Sequence, residues 1–143
     1  KNGICKKKHA KLYMIGLDTT AIIDIFKKDI NLKKLLESSD NNFISTAVNY
    51  WEIRGGLNPK DNKYNLENEY YENFFKDIVI LDFDKNAVKK SSEIFWMLAN
   101  NGEMIDDFDS MIAGTLLANG VTKIITKNKK HFERIKGLSV MSY

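Results

Sequence analysis

The chain has 143 residues, 43% apolar and 29% charged, with one cysteine and a formal net charge of +3. That length supports one domain around one core, no apolar run reaches the ~20 residues a membrane span needs, and a lone Cys5 excludes an internal disulfide framework; a soluble, cytoplasmic protein with no membrane partner is expected. Lys1, Lys6, Lys7, Lys8 and Lys11 crowd the first 11 residues, and the remaining 17 basic and 19 acidic residues leave the rest at −2, so the positive charge says little for a nucleic-acid-binding face on the domain itself.

Residues 1–11 lack the long apolar stretch of a signal peptide and read as a native extension or an expression remnant, and the folded domain is expected over 12–143, with Met14 a plausible start. KLYMIGLD (11–18) is a short apolar run closed by an acid and reads as a buried strand. TTAIIDIFKK (19–28) has helical spacing, and NNFIST (41–46) is a second strand. TAVNYWEIRGG (46–56) reads as a helix that Thr46 would cap and Gly55-Gly56 would stop. LNPKDN (57–62) holds the one proline and is a loop; 64–76, rich in Tyr, Phe and Glu, is a further helix. DIVILDF (77–83) is the clearest strand, followed by a helix from Asp84 as cap through Leu98, with Gly102 just past its end. GEMIDDFDSMIAG (102–114) leads into a helix over 108–119, and VTKIIT (121–126) and LSVMSY (138–143) are the last strands. This alternation predicts a single α/β domain with a central parallel sheet of about four or five strands and helices on both faces.

In such sheets, sites form outside the carboxyl ends of the strands. Asp18 closes the first strand, Asn128 lies just past VTKIIT, and the helices bearing Glu52 and Asp109 adjoin the same edge. Helical geometry then separates the three aspartates at 106, 107 and 109. With Asp109 at zero, Ile112 falls at about 300°, Ala113 at about 40° and Leu116 at about 340°, whereas Asp107 falls near 160°. Asp109 therefore points inward; Asp106 and Asp107 serve the cap or face solvent. With Val48 at zero, Trp51 is at about 300° and Glu52 at about 40°, so Glu52 also lies on the apolar side.

Each acid has an ordinary reading. Asp18 could cap the following helix, Asp109 could serve the helix dipole, and Glu52 could be half exposed or paired with an arginine. Together they change the balance, because three carboxylates aimed at one edge without an evident cationic partner repel one another, and buried charge requires a partner or a metal. A divalent cation satisfies all three, and hard oxygen ligands select Mg²⁺ or Mn²⁺.

These residues resemble the PIN-domain nucleases, most closely the VapC toxins of toxin–antitoxin pairs. GLDT (16–19) resembles the family's opening strand motif, STAVNYWEIRGGL (45–57) the segment carrying its Glu, DFDSMIAGTLLANG (107–120) its D-x-x-I-A helix, and TKNKKHFERIKGLSV (126–140) its closing segment. Four motifs in order cover residues 12–143. The resemblance implies a divalent-metal-dependent endoribonuclease in which Asp18, Glu52 and Asp109 hold Mg²⁺ or Mn²⁺. Asn128 stands where many members have a fourth acid, and would orient a metal-bound water, with Thr126 supporting that edge. It further implies an RNA substrate such as tRNA or rRNA, a homodimer, and a VapB-like antitoxin laid over the active-site groove. Other open readings are a PIN nuclease of RNA processing and a non-catalytic PIN-like module; the presence of all three acids argues against the latter.

Lys127, Lys129, Lys130 and Arg134, with Lys136, form either a phosphate-binding rim or a solvated face. His131 reads as a surface or capping residue, since no zinc spacing accompanies it. The aromatic run Tyr70, Tyr71, Phe74, Phe75 is expected in the core or at a dimer face, and Trp51 and Trp96 in the core.

Overall fold

The structure, a computed structural model, describes residues 14–143; the lysine-rich stretch at 1–11 and Cys5 lie outside the described residues. Among the described residues five strands alternate with seven helices: β1 (Met14–Leu17), α1 (Thr19–Phe26), α2 (Ile30–Glu37), β2 (Asn42–Thr46), α3 (Ala47–Gly55), α4 (Tyr64–Lys76), β3 (Val79–Leu81), α5 (Lys85–Asn100), α6 (Asp107–Ala118), β4 (Lys123–Ile125), α7 (Lys129–Phe132) and β5 (Ser139–Met141). All strand pairings are parallel, in the order β3-β2-β1-β4-β5. The chain leaves β1 toward β2 on one side and later returns to place β4 on the other. That reversal opens a crevice at the carboxyl ends of β1 and β4.

Strand alternation divides the interior in two. Ile15, Leu17 and Ile125 join Ala21, Ile22, Leu32, Tyr71 and Phe75 on one face of the sheet. Ile44 and Ile124 join Ile94, Leu98, Ile112, Leu116 and Phe132 on the other. Both faces of β1 and β4 are thus covered, which explains their unbroken apolar sequences. Two glycines let α6 sit deep enough to reach the crevice. A Cβ on Gly16 would stand 2.7 Å from Leu116 Cδ1, and one on Gly114 would stand 2.6 Å from both Cα and N of Ser91 on α5.

The fold class, the parallel sheet and the order of the foreseen elements agree with expectation. DIVILDF is strand only over Val79–Leu81, an edge segment in which Val79 is exposed. Helix α2 was not foreseen. Its sequence INLKKLLE is mostly solvent-facing, with Leu32 its buried residue, and its start rests on Asp29 Oδ1 accepting from Leu32 N at 3.0 Å. The expectation that Trp51 and Trp96 are core residues is corrected: they are 59% and 61% exposed. Each packs at the surface against another aromatic ring, Trp51 on Phe108 at 5.2 Å and Trp96 on Phe95 at 5.3 Å. On α4, Tyr71 and Phe75 are buried and Tyr70 and Phe74 partly buried, so that run does pack into the core.

Candidate active site

Asp18 follows directly from β1, and its backbone N–H donates to the Ile125 carbonyl at 3.1 Å, which pins it to the end of β4. It occupies the cap position of α1, but its side chain makes no capping bond. The carboxylate turns into the crevice instead, 2% exposed overall, where Thr126 Oγ1 donates to Oδ2 at 2.6 Å and Asn49 Nδ2 to Oδ1 at 3.2 Å. Burial pushes this carboxyl above its usual range, and the Thr126 hydrogen bond pulls it back only in part.

Glu52 reaches the same crevice from α3. The Thr46 hydroxyl caps that helix by accepting from Asn49 N at 3.1 Å, fixing the phase in which Glu52 faces inward. Its Oε1 accepts from Thr19 Oγ1 at 2.7 Å. Burial raises the Glu52 carboxyl against that hydrogen bond, and the charges of Asp18, Asp109 and Asp106 raise it further.

Asp109 enters from the first turn of α6 and is 8% exposed. Its Oδ2 accepts from Asn128 Nδ2 at 2.9 Å and lies 2.7 Å from His131 Nδ1. Burial raises this carboxyl too; the His131 hydrogen bond opposes the rise, and the charge of Asp18 adds to it. The helix itself is capped by Asp106, whose Oδ1 accepts from Phe108 N at 2.9 Å, while Asp107 faces solvent. Only Asp109 of the three aspartates is buried, as the helical phase required.

Asp18, Glu52, Asp106 and Asp109 line one cavity of about 330 Å³ with Thr19, Thr20, Phe108, Asn128 and His131. Among the described residues no lysine or arginine pairs with any of these acids; the one ion-pair contact to them comes from His131. Sequence reasoning missed His131, whose spacing from Asn128 across the short α7 was the available signal. It also passes over Asn49, Thr19 and Thr20 as site residues, although the two threonines directly follow Asp18 and Asn49 stands one turn before Glu52. Thr126, expected to support this edge, does so directly.

Four of the basic residues that could form a phosphate rim have separate fates. Lys127 Nζ pairs with Asp24 at 3.0 Å, and Lys129 Nζ pairs with Glu133 at 3.3 Å. Arg134 donates to the carbonyls of Glu103 and Met104, tying down the loop before α6. Lys130 is exposed and has no ion pair among the described residues.

Comparison with known proteins agrees with this fold. The PIN domain family model matches residues 15–138. The chain belongs to the PIN-domain family. It is also 35% identical over 141 residues to ribonuclease VapC1 of Methanocaldococcus jannaschii, covering 96% of this chain and 93% of the relative, which places it among the VapC-type PIN domains. It is 27% identical over 129 residues to the tRNA(fMet)-specific endonuclease VapC of Salmonella typhimurium, covering 87% of this chain and 93% of the relative. The DNA-bound VapBC complex of Salmonella typhimurium contains a chain of the same fold, with a TM-score of 0.79 at 25% identity, over 92% of this chain and 98% of that one. The promoter-bound VapBC2 of Rickettsia felis gives a TM-score of 0.79 at 22% identity, over 91% and 98%.

Proposed function

We propose that this VapC-type PIN domain is a divalent-metal-dependent endoribonuclease, the toxin of a toxin–antitoxin pair, in which Asp18, Glu52 and Asp109 hold the metal. The observation that carries the reading is the convergence of three inward-facing carboxylates at the sheet's switch point, with no lysine or arginine among the described residues to neutralise them. Each is raised by burial, and Glu52 and Asp109 further by their neighbours' charge. A divalent cation would remove that repulsion, and the donors offered are hard carboxylate oxygens of the kind Mg²⁺ and Mn²⁺ take. Among the described residues no three acidic, imidazole or thiol groups are gathered closely enough to enclose one ion. Asp109 is turned to Asn128 and His131, so a bound ion would draw that side chain round.

When bound, the metal supplies an acidified water and neutralises charge on the phosphodiester. The chain's own residues supply the frame. Asp18 is fixed from both sides by neutral hydroxyl and amide donors, which orient it without cancelling its charge. Asn128 donates to Asp109 and so holds the acid itself, and would orient a water on a bound metal. Lys130, exposed and without an ion pair among the described residues, is left to attract the RNA backbone, with Lys127 and Lys129 half-exposed and Arg134 bracing the loop. No described helix is long and apolar enough to cross a membrane, in keeping with a cytoplasmic toxin acting on tRNA or rRNA under a VapB-like antitoxin. A homodimer fits the apolar groove of about 330 Å³ lined by Trp51, Phe83, Phe108 and Met111, since an exposed Trp beside such a groove marks a contact surface.

The test is cleavage of total tRNA and rRNA with Mg²⁺ or Mn²⁺, with EDTA, and with Asp109→Asn. Defined fragments from the parent alone, lost with EDTA, support the reading. Equal cleavage by parent and variant refutes the assigned site.

A further inference from the structure

We infer that Asn49 is a positioning residue that sets the spacing of Asp18 and Glu52, through a hydrogen-bond chain whose direction its own amide fixes. The inference rests on the metal-nuclease reading and adds to it a residue that neither touches substrate nor binds metal.

Asn49 is fully buried, on α3 one turn before Glu52. Its Oδ1 accepts from the Thr46 hydroxyl at 2.7 Å. Its Nδ2 donates to Asp18 Oδ1 at 3.2 Å and to Thr19 Oγ1 at 3.0 Å. The Thr19 hydroxyl in turn donates to Glu52 Oε1 at 2.7 Å. Every donor direction is forced. The two ends of the chain are carboxylates, which only accept, so the Nδ2 side of the amide must face Asp18 and Thr19. With its lone pairs facing Asn49, Thr19 has its one proton left for Glu52. The amide oxygen is then committed to Thr46, whose oxygen accepts the capping bond from Asn49 N and whose one proton goes to Asn49 Oδ1. No member can reverse without leaving a buried polar atom unpaired, which costs about 1–3 kcal/mol. One side chain thereby ties the carboxyl end of β1, the start of α1 and the capped turn of α3 into a single frame for two acids.

Partners that orient metal ligands in this way are worth ~10–100-fold in metal affinity or activity. The experiment measures Mn²⁺ affinity by calorimetry, together with kcat and KM for RNA cleavage, on the parent, Asn49→Ala and Ile53→Ala. Ile53 lies on the same helix, is buried outside the site, and costs about 2–5 kcal/mol when truncated, so it controls for loss of stability. Thermal melts set an assay temperature at which all three proteins are folded. The expected result for Asn49→Ala is ~10–100-fold weaker Mn²⁺ binding and a similar fall in kcat, with KM for RNA unchanged, while Ile53→Ala matches the parent in all three. Parent-like Mn²⁺ affinity and kcat in Asn49→Ala overturn the inference while leaving the nuclease reading intact. Equal losses in Asn49→Ala and Ile53→Ala reduce Asn49 to a stability residue and overturn it as well. A parent that neither binds Mn²⁺ nor cleaves overturns the nuclease reading, and this inference with it.

Discussion

Replacing Gly114 with alanine tests the packing that carries Asp109 into the crevice. In an isolated helix the change would stabilise by about 1 kcal/mol. Here the added Cβ would stand 2.1 Å from Ser91 Oγ and 2.6 Å from Ser91 Cα and N. The hydroxyl can rotate away, but the backbone atoms cannot, and ordinary carbon contact begins near 3.5 Å. Helices α5 and α6 must therefore separate by roughly 1 Å, at an overpacking cost of about 3 kcal/mol. The net loss is about 2 kcal/mol, which for a domain of this size lowers Tm by about 7 °C. Because Asp109 lies just over one turn from Gly114, a shift of that size also misplaces a site carboxylate and would lower kcat ~100-fold. Calorimetry and RNA cleavage on Gly114→Ala check both numbers. Adding Ser91→Gly is expected to restore little, since the clash is with backbone. An unchanged or raised Tm would show that helix propensity prevails and that the two helices are not in backbone contact.

Asp109→Asn in EDTA is expected to raise Tm at pH 7 by about 3 °C, through relief of the burial of a charged carboxyl and then of like-charge repulsion, together worth about 1 kcal/mol. The sign follows from the raised carboxyl: the folded protein holds that proton more tightly than the unfolded chain. The stabilisation from protonation is complete below the ordinary value of 3.8 and is lost as pH rises through the folded value. The parent should therefore gain stability as pH falls toward 3.8 and the variant gain less; parallel curves would sink the argument. Asp24 behaves oppositely. Burial raises it, but the hydroxyl of Tyr143 and then Lys127 outweigh burial, so its carboxyl sits below its usual range. Its contribution is present above 3.8 and lost as pH falls through the depressed value. Tyr143→Phe should cost about 1 kcal/mol at pH 7 and much less near pH 2; an equal cost at both would refute the pairing. Trp51→Glu should convert a dimer to a monomer by light scattering, and an unchanged mass would remove the α3 face from the interface.

The sequence was most readable where one periodicity met one buried surface. Asp109 and Glu52 could be separated from their neighbours because a helix turns about 100° per residue and both fell beside apolar residues. Asp18 could be placed because an acid ending an apolar run has one geometric meaning in a parallel sheet. The same reasoning failed for Trp51, which shares the helical phase of Val48. That side of α3 runs out past the edge of the core, and amphipathic phase does not say how far a neighbouring element extends. Helix α2 was legible but passed over: Leu32, Leu35 and Leu36 have helical spacing, and Asp29, three residues before Leu32, marked its cap. Asn49 was passed over because an asparagine inside a helix reads as neutral, and its buried partners come from residues 18 and 19, far off in sequence. The basic decade after Thr126 showed charge but not commitment: Asp24, Glu133 and two backbone carbonyls claim three of its four proposed RNA contacts.

The most direct test of the metal-nuclease account is a pair of Mn²⁺ titrations, one read by calorimetry and one by RNA cleavage, on the parent, Asp18→Asn, Glu52→Gln and Asp109→Asn. The account expects the parent's binding and activity curves to share a midpoint, and both to be lost in all three folded variants. Cleavage that persists in EDTA, or variants that bind Mn²⁺ as the parent does, would contradict it.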